Sequence, residues 1–217
     1  MVAIIFVILY SYSSKRKEGE AQKRAITILC AGDSITAGEY PAFLQEMVNR
    51  IGKNIYVLNR GVPGHTSGEY RSYMKQTKLV EDTEPDFVLL QLGTNDTRID
   101  SDHTPTPLFY KNMEYIILSF KMHTNRNGAH PLVFLGTIPP IVEEEPGFLN
   151  KESAERVVAE INPAIAKLAK ENDCPLADNY KFFIDNPSLL PGIHPSLDGY
   201  KALAENWFKA IRPYIEK

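Results

Sequence analysis

Short apolar runs alternate with longer segments of helical spacing along most of this chain, and this alternation constrains the fold more than any other feature. Strands that alternate with helices form βαβ units, whose right-handed crossovers build a parallel sheet. The runs are continuously apolar, which indicates strands that are covered on both faces. We therefore expect an α/β fold, a three-layer α/β/α sandwich around a flavodoxin-like, five-stranded parallel sheet in the order 2-1-3-4-5. The predicted strands are residues 26–31, 55–59, 87–92, 132–137 and 175–178.

The segments between the runs carry apolar residues three and four positions apart, which is the pattern of helices with one buried face. Pro163 lies inside one of these segments and predicts a kink or a helix restart, because proline removes a backbone donor. The predicted helices cover residues 41–51, 66–80, 107–122, 153–171 and 197–213.

Size and charge restrict the class of protein further. The 217 residues are 43% hydrophobic and 24% charged, which fits one folded domain with a substantial core. The net charge is −3 and no basic stripe is present, so we expect no nucleic acid partner. Buried free thiols are favoured for Cys30 and Cys174, with a disulfide between them as the alternative. No Cys/His spacing resembles a zinc site.

The N-terminal segment differs from the rest of the chain. Residues 2–10 are continuously apolar, and a polar linker at 14–24 follows them. The run is shorter than a transmembrane helix, which needs about 20 apolar residues. It fits a signal or anchor with an unusual start, the truncated end of a longer span, or an amphiphilic tail. We expect a division into residues 1–24 and a domain of residues 25–217. We also expect membrane association through residues 2–10, and an exported or membrane-anchored location rather than a cytoplasmic one.

Polar residues follow the predicted strands at the points where those strands end. Gly-Asp-Ser at 32–34 follows the first strand, Asn-Arg-Gly at 59–61 the second, and Gly-Thr-Asn-Asp at 93–96 the third. His194 lies in a loop rich in proline and glycine, just before the last predicted helix. Because the carboxyl ends of parallel strands meet at one edge of a sheet, we expect these groups to share one cleft.

Each of these residues could also have a purely structural role. Ser34 fits a helix cap, Gly61 a tight turn, and Asn95 a self-stabilised turn. Together with His194, however, they supply a hydroxyl nucleophile, oxyanion donors and a general base, since imidazole has an ordinary pKa near neutrality. The amides of Ser34 and Gly61 and the side chain of Asn95 are the expected oxyanion donors.

These motifs resemble the blocks of the SGNH hydrolases, also called GDSL esterases and lipases, over residues 26–213. Gly-Asp-Ser-Ile-Thr at 32–36 resembles the first block, residues 59–66 the second, residues 93–96 the third, and His194 with its following proline the last. The resemblance implies a serine ester hydrolase that acts on a small-molecule ester through an acyl-enzyme and needs no metal or organic cofactor. It assigns Ser34 as nucleophile, His194 as base, and Ser34, Gly61 and Asn95 to the oxyanion hole.

One position departs from the family pattern. The family usually has an aspartate three residues before the histidine, and this chain has Pro191 there. One alternative is a Ser-His dyad in which a backbone carbonyl or water holds the second ring nitrogen. The other is a displaced acid, for which Asp185 is the nearest upstream carboxylate. Because the acid sets the tautomer of the imidazole, its replacement predicts a weaker enzyme or a substitute for the acid.

Only six residues, 35–40, separate the proposed nucleophile from the proline that opens the next predicted helix. The family often has a longer acyl-pocket segment here, so we expect a shallow cleft and short-acyl substrates. Similarity to lysophospholipase and thioesterase branches makes lysophospholipid and thioester substrates plausible, and acetylated carbohydrate is the alternative. A catalytically weak ligand-binding protein is the alternative from another class.

Overall fold

The protein is represented by a computed structural model that describes residues 25–142 and 147–216. Its described part centres on a sheet in the order β2-β1-β3-β4-β5, with every neighbouring pair parallel. The α/β class and the predicted strand order are thereby confirmed. The strands are β1 (Ile26–Gly32), β2 (Ile55–Gly61), β3 (Phe87–Gln91), β4 (Leu132–Gly136) and β5 (Leu176–Ala177).

Helices cover both faces of the sheet, as right-handed crossovers require. The described α-helices are α1 (Ser34–Ala37), α2 (Tyr40–Asn49), α3 (Ser67–Gln76), α4 (Leu79–Thr83), α5 (Thr106–Lys121), α6 (Lys151–Arg156), α7 (Asn162–Glu171), α8 (Asn179–Asp185) and α9 (Leu197–Ile215). Two 3₁₀ turns, Asn95–Thr97 and Pro187–Leu189, and a π-helical turn, Val157–Ile161, complete the described elements.

Alternate residues of the central strands enter two separate hydrophobic cores. On one face, Leu29 and Val88 pack with side chains of α3, α5 and α7. On the other face, Ile28 and Leu89 pack with side chains of α2 and α9, including the fully buried Trp207. Successive side chains of a strand point to opposite faces, so a sheet between two cores needs apolar residues at consecutive positions.

Two predicted helices are interrupted. The segment 153–171 begins earlier, at Lys151, and contains the π-helical turn Val157–Ile161 before α7 restarts with Pro163 in its first turn. This is the restart that Pro163 predicted. The segment 66–80 divides into α3 and α4 because Lys78 has a left-handed backbone, with φ of 48°.

Helix α8 was not predicted from the sequence, and β5 is only two residues long. Cys30 and Cys174 are both buried free thiols, as favoured, and burial raises the pKa of the Cys30 thiol to about 12. The predictions for residues 1–24 lie outside the described residues. Within residues 25–142 and 147–216, no helix combines the length and hydropathy needed to span a bilayer.

Candidate active site

Ser34 lies at the carboxyl end of β1, in the first turn of α1. Asp33 caps this helix, and its Oδ1 accepts a hydrogen bond of 3.0 Å from the amide of Ile35. Gly32 is required before the turn, because a Cβ at this position would lie 2.1 Å from the carbonyl oxygen of Gln91. The first amides of a helix have no partner within the helix. Ser34 therefore presents a half-buried hydroxyl beside an amide that has no partner within its own helix.

His194 reaches this hydroxyl from a segment 160 positions away in the chain: its Nε2 lies 2.8 Å from Ser34 Oγ. The loop that carries it is closed by the amide of Ser196, which donates to the carbonyl oxygen of Leu189 at 3.0 Å. The Ser196 hydroxyl then caps α9 by accepting from the amide of Gly199 at 3.1 Å. The imidazole is exposed, so it has access both to Ser34 and to solvent water.

The third expected group is the amide of Gly61 at the end of β2. Gly61 pairs with Gly32 in the β1–β2 ladder, and a Cβ at Gly61 would lie 2.1 Å from the amide nitrogen of Ala37. In this structure its single N–H donates to Asn59 Oδ1 at 3.0 Å. The Asn59 Nδ2 in turn donates to the carbonyl oxygen of Ala37 at 3.1 Å. Asn59 therefore fastens the end of β2 to α1 and occupies the Gly61 amide.

The fourth expected group, Asn95, begins the 3₁₀ turn after β3. Its Nδ2 donates to the carbonyl oxygen of His65 at 3.0 Å, and the side chain is buried. A carboxamide nitrogen carries two N–H groups. One of them is used by His65, so the other keeps its capacity to bind a substrate oxygen.

Asp185 does not join this group in the structure. Its carboxylate accepts from Lys181 Nζ at 2.8 Å, an exposed pair one helical turn apart on α8. Among the described residues, the ring of His194 makes its hydrogen bond with Ser34. Pro191, which stands at the usual acid position, is exposed. The acid that would orient His194 is therefore not supplied by Asp185 in this conformation.

Two buried carboxyl groups lie behind the site. Asp33 is fully buried, and this burial raises its pKa to about 6, with Asp96 adding a smaller electrostatic contribution. Asp96 is also buried, which raises its pKa although it accepts hydrogen bonds from the amide and hydroxyl of Ser67. The carboxylate of Asp96 thus fixes the start of α3 to the turn that carries Asn95.

Arg156, to which the sequence analysis gave no role, also binds this turn. Its Nη1 donates to the carbonyl oxygen of Asp96 and its Nη2 to that of Thr104, both at 2.7 Å. Arg156 is almost fully buried at the end of α6. No local pattern identifies it, because an arginine in an amphipathic helix usually lies on the solvated face. Asn59, by contrast, lies within the second motif and was open to such an assignment.

A metal centre is a separate matter. Within the part of the chain that the structure describes, no three His, Cys, Asp or Glu side chains are grouped so that they could hold a metal ion.

Comparison with known proteins places this geometry in context. Residues 30–202 match the model of the GDSL-like Lipase/Acylhydrolase family. The chain is 26% identical to the uncharacterized lipoprotein YqeF of Bacillus subtilis, over 84% of this chain and 80% of that protein. It is also 26% identical to an acetylxylan esterase of Xylanibacter ruminicola, over 87% of this chain but only 43% of the esterase.

Among solved structures, the fold is similar to that of the lipase/acylhydrolase from Enterococcus faecalis. The TM-score is 0.70 and the identity 23%, over 87% of this chain and 96% of that chain. At 23% identity, this similarity supports a shared fold and nothing more specific.

Proposed function

The chain belongs to the GDSL-like Lipase/Acylhydrolase family and is a carboxylic ester hydrolase, and from this premise we propose that Ser34 is its nucleophile and His194 its general base. The observation that carries the proposal is the 2.8 Å distance between Ser34 Oγ and His194 Nε2, at the carboxyl edge of a parallel sheet. A hydroxyl is a weak nucleophile until a base within hydrogen-bond reach takes its proton.

In the proposed first step, Ser34 Oγ forms a bond to the ester carbonyl carbon while His194 Nε2 accepts the hydroxyl proton. The tetrahedral intermediate then collapses: the bond to the alcohol oxygen breaks, and His194 returns the proton to this leaving group. The acyl group stays on Ser34. In the second half, a water molecule attacks the acyl carbon, its proton goes through His194 to Ser34 Oγ, and the carboxylic acid leaves.

The negative charge on the carbonyl oxygen is stabilised by the amides of Ser34 and Gly61 and by the Asn95 side chain. The three groups differ in whether their N–H groups are already engaged in hydrogen bonds. Ser34 offers an amide in the first turn of a helix, and Asn95 has a second N–H besides the one that binds His65. Gly61 must share or release its hydrogen bond with Asn59 before it can bind the oxyanion.

For the third member we propose a Ser-His dyad, with Asp185 outside the catalytic group. The Lys181–Asp185 pair supports this, because it occupies the Asp185 carboxylate within its own helix. A backbone carbonyl or water then has to hold the His194 ring. Losing a catalytic aspartate costs about 10⁴ in rate in well-studied triads, so a modest turnover is expected.

The substrate is proposed to be a small ester with a short acyl group. The connection from α1 to α2 is only two residues long, Gly38 and Glu39. So short a connection provides few residues to line a pocket for a long acyl chain. The similarity to a protein named acetylxylan esterase favours acetylated carbohydrate over lysophospholipid or thioester.

We also propose that the protein acts outside the cytoplasm or at a membrane surface. The similarity to a bacterial lipoprotein supports this location. The proposed attachment is through the apolar residues 2–10.

The test is hydrolysis of nitrophenyl esters from acetate to palmitate by the wild type and by Ser34→Ala, together with fluorophosphonate labelling and mass spectrometry. We expect acetate to be preferred, Ser34→Ala to be inactive, and the label to be attached to Ser34. Labelling at another residue, or full activity of Ser34→Ala, would reject the assignment of the nucleophile. A preference for palmitate would reject the short-acyl proposal.

A further inference from the structure

A groove with a volume of about 450 Å³ lies along α3, next to the proposed oxyanion hole. We call it the α3 groove. The residues that define it are Val62, His65, Glu69, Ser72, Tyr73 and Gln76.

Two contacts connect the α3 groove to the reacting centre. Val62 directly follows Gly61, and its amide donates to the carbonyl oxygen of Gly32 at 2.9 Å. The carbonyl oxygen of His65 accepts the hydrogen bond from Asn95 Nδ2. Two of the three proposed oxyanion donors thus contact the groove directly. Gly61 is joined to Val62 by a peptide bond, and Asn95 is joined to His65 by a hydrogen bond. The α3 groove therefore adjoins the residues that are proposed to hold the oxyanion.

The side chains of the groove come mainly from one face of α3. Glu69, Ser72, Tyr73 and Gln76 are spaced by three, four and seven positions, so they share a helix face. The half-buried ring of Tyr73 lies 5.9 Å from the ring of His65, nearly perpendicular to it. The groove therefore combines aromatic surface with a hydroxyl, a carboxamide and a carboxylate.

The Glu69 carboxylate has one oxygen that can accept a hydrogen bond from a ligand. Both described hydrogen bonds to Glu69 go to Oε2, from the amide and the hydroxyl of Thr66. These bonds lower the pKa of Glu69, and the nearby His65 and Arg98 lower it further. Among the described residues no donor binds Oε1, which keeps its capacity to accept from a ligand hydroxyl.

We propose that the α3 groove binds the sugar residues on the alcohol side of an acetylated oligosaccharide. This inference rests on the proposed function. Aromatic rings pack against the apolar C–H faces of a pyranose, while Glu69, Ser72 and Gln76 bind its hydroxyl groups. A lysophospholipid fits less well, because the phosphate on the alcohol side of its ester would meet the Glu69 carboxylate in this groove.

The experiment compares two acetyl esters that share the acyl group and differ in the alcohol: an acetylated xylo-oligosaccharide and 4-nitrophenyl acetate. Tyr73→Ala removes the ring, and Tyr73→Phe retains it. Glu69→Gln removes the charge but keeps a residue that completes the helix capping box with Thr66. Tyr115→Ala is the matched control, because Tyr115 is also partly exposed but packs under Arg71.

We expect Tyr73→Ala and Glu69→Gln each to raise KM for the oligosaccharide about tenfold, which is the usual consequence of losing one charged hydrogen bond or one packed ring. Values of kcat/KM for 4-nitrophenyl acetate should stay within about twofold of wild type, and Tyr73→Phe should retain the wild-type KM. Equal losses on both substrates would indicate a structural role and overturn the proposal, as would an unchanged KM for the oligosaccharide.

Binding is measured separately from turnover, by calorimetry of unacetylated xylo-oligosaccharide with Ser34→Ala. Binding that is about tenfold weaker in Ser34→Ala/Tyr73→Ala supports the groove, whereas equal binding by the two variants, or no binding to Ser34→Ala, overturns it. Absence of turnover on both esters by the wild type would instead count against the proposed function, so the two failures are distinguishable.

Discussion

At the scale of single residues, the three proposed oxyanion donors are not equivalent. Asn95 has a spare N–H, whereas the only N–H of Gly61 is bonded to Asn59 Oδ1. A donor that must first leave another acceptor contributes only the difference between the two bonds. We therefore expect Asn95 to be the stronger contributor of the two.

Asn95→Ala should lower kcat by roughly 10²–10³ with little change in KM, because the lost bond is strongest to the charged intermediate. Steady-state kinetics on 4-nitrophenyl acetate measures this, and circular dichroism checks that the variant is folded. A change confined to KM would show that Asn95 binds the ground state equally well, contrary to the proposed role.

Asp185→Asn should leave kcat/KM within about twofold of wild type, because Asp185 is bonded to Lys181 and exposed pairs contribute little. His194→Ala on the same substrate provides the reference, with an expected loss of about 10²–10⁴ for a missing general base. A loss in Asp185→Asn that approaches that of His194→Ala would restore Asp185 as the orienting acid.

At the scale of elements, α8 is held in place by buried polar contacts as well as by the buried ring of Phe183. Asn179 is fully buried, and its Nδ2 donates to Gln91 Oε1 at 2.6 Å. Its Oδ1 accepts from Asn206 Nδ2 at 2.7 Å, which connects β3, α8 and α9. A helix of seven residues makes only about two turns, too short a stretch for hydrophobic periodicity to identify, and buried polar contacts add nothing to that pattern. For this reason the sequence did not predict α8.

Asn179→Ala should lower the free energy of unfolding by about 1–3 kcal/mol, because the buried Gln91 and the half-buried Asn206 lose their hydrogen-bond partner. Urea denaturation at neutral pH gives this value. Asn127→Ala is the matched control: Asn127 is exposed, and its substitution should change stability by no more than about 0.5 kcal/mol. Equal effects of the two substitutions would show that the buried network contributes nothing specific.

At the scale of the whole molecule, the fold buries a carboxyl group behind its reacting centre. The pKa of Asp33 is raised from 3.8 to about 6 by burial, with a smaller contribution from the charge of Asp96. A group with a raised folded-state pKa contributes stability that is fully present below its unfolded pKa and is lost as pH rises through the folded pKa. The contribution of Asp33 to stability is therefore lost as the pH rises from about 3.8 to about 6, and it does not change further at higher pH.

Asp33→Asn keeps a side-chain oxygen that can cap α1 but removes this ionisation. We expect wild type to lose up to about 3 kcal/mol relative to Asp33→Asn between pH 4 and pH 8. Parallel urea denaturation of the two proteins over this range measures the difference, and titrations common to both cancel. A difference that does not vary with pH would contradict the assignment of the shift to Asp33.

The sequence by itself determined the fold class, the strand order and the four segments that meet at the carboxyl edge of the sheet. It could do so because periodicity and turn chemistry are local properties, and because parallel strands place their carboxyl ends together. Pro163 likewise marked the restart of α7 through its own missing donor.

Only the tertiary structure decided how these segments are held and what surrounds them. The Arg156 bond to the turn of Asn95, the occupied amide of Gly61 and the pairing of Asp185 with Lys181 depend on side-chain directions that packing selects. Arg156 and Asp96 are 60 positions apart in the chain, and no local pattern links such residues. The α3 groove is lined by one stretch of chain, residues 62–76, but only the structure shows that its first residues fold against the face of α3 and enclose a groove.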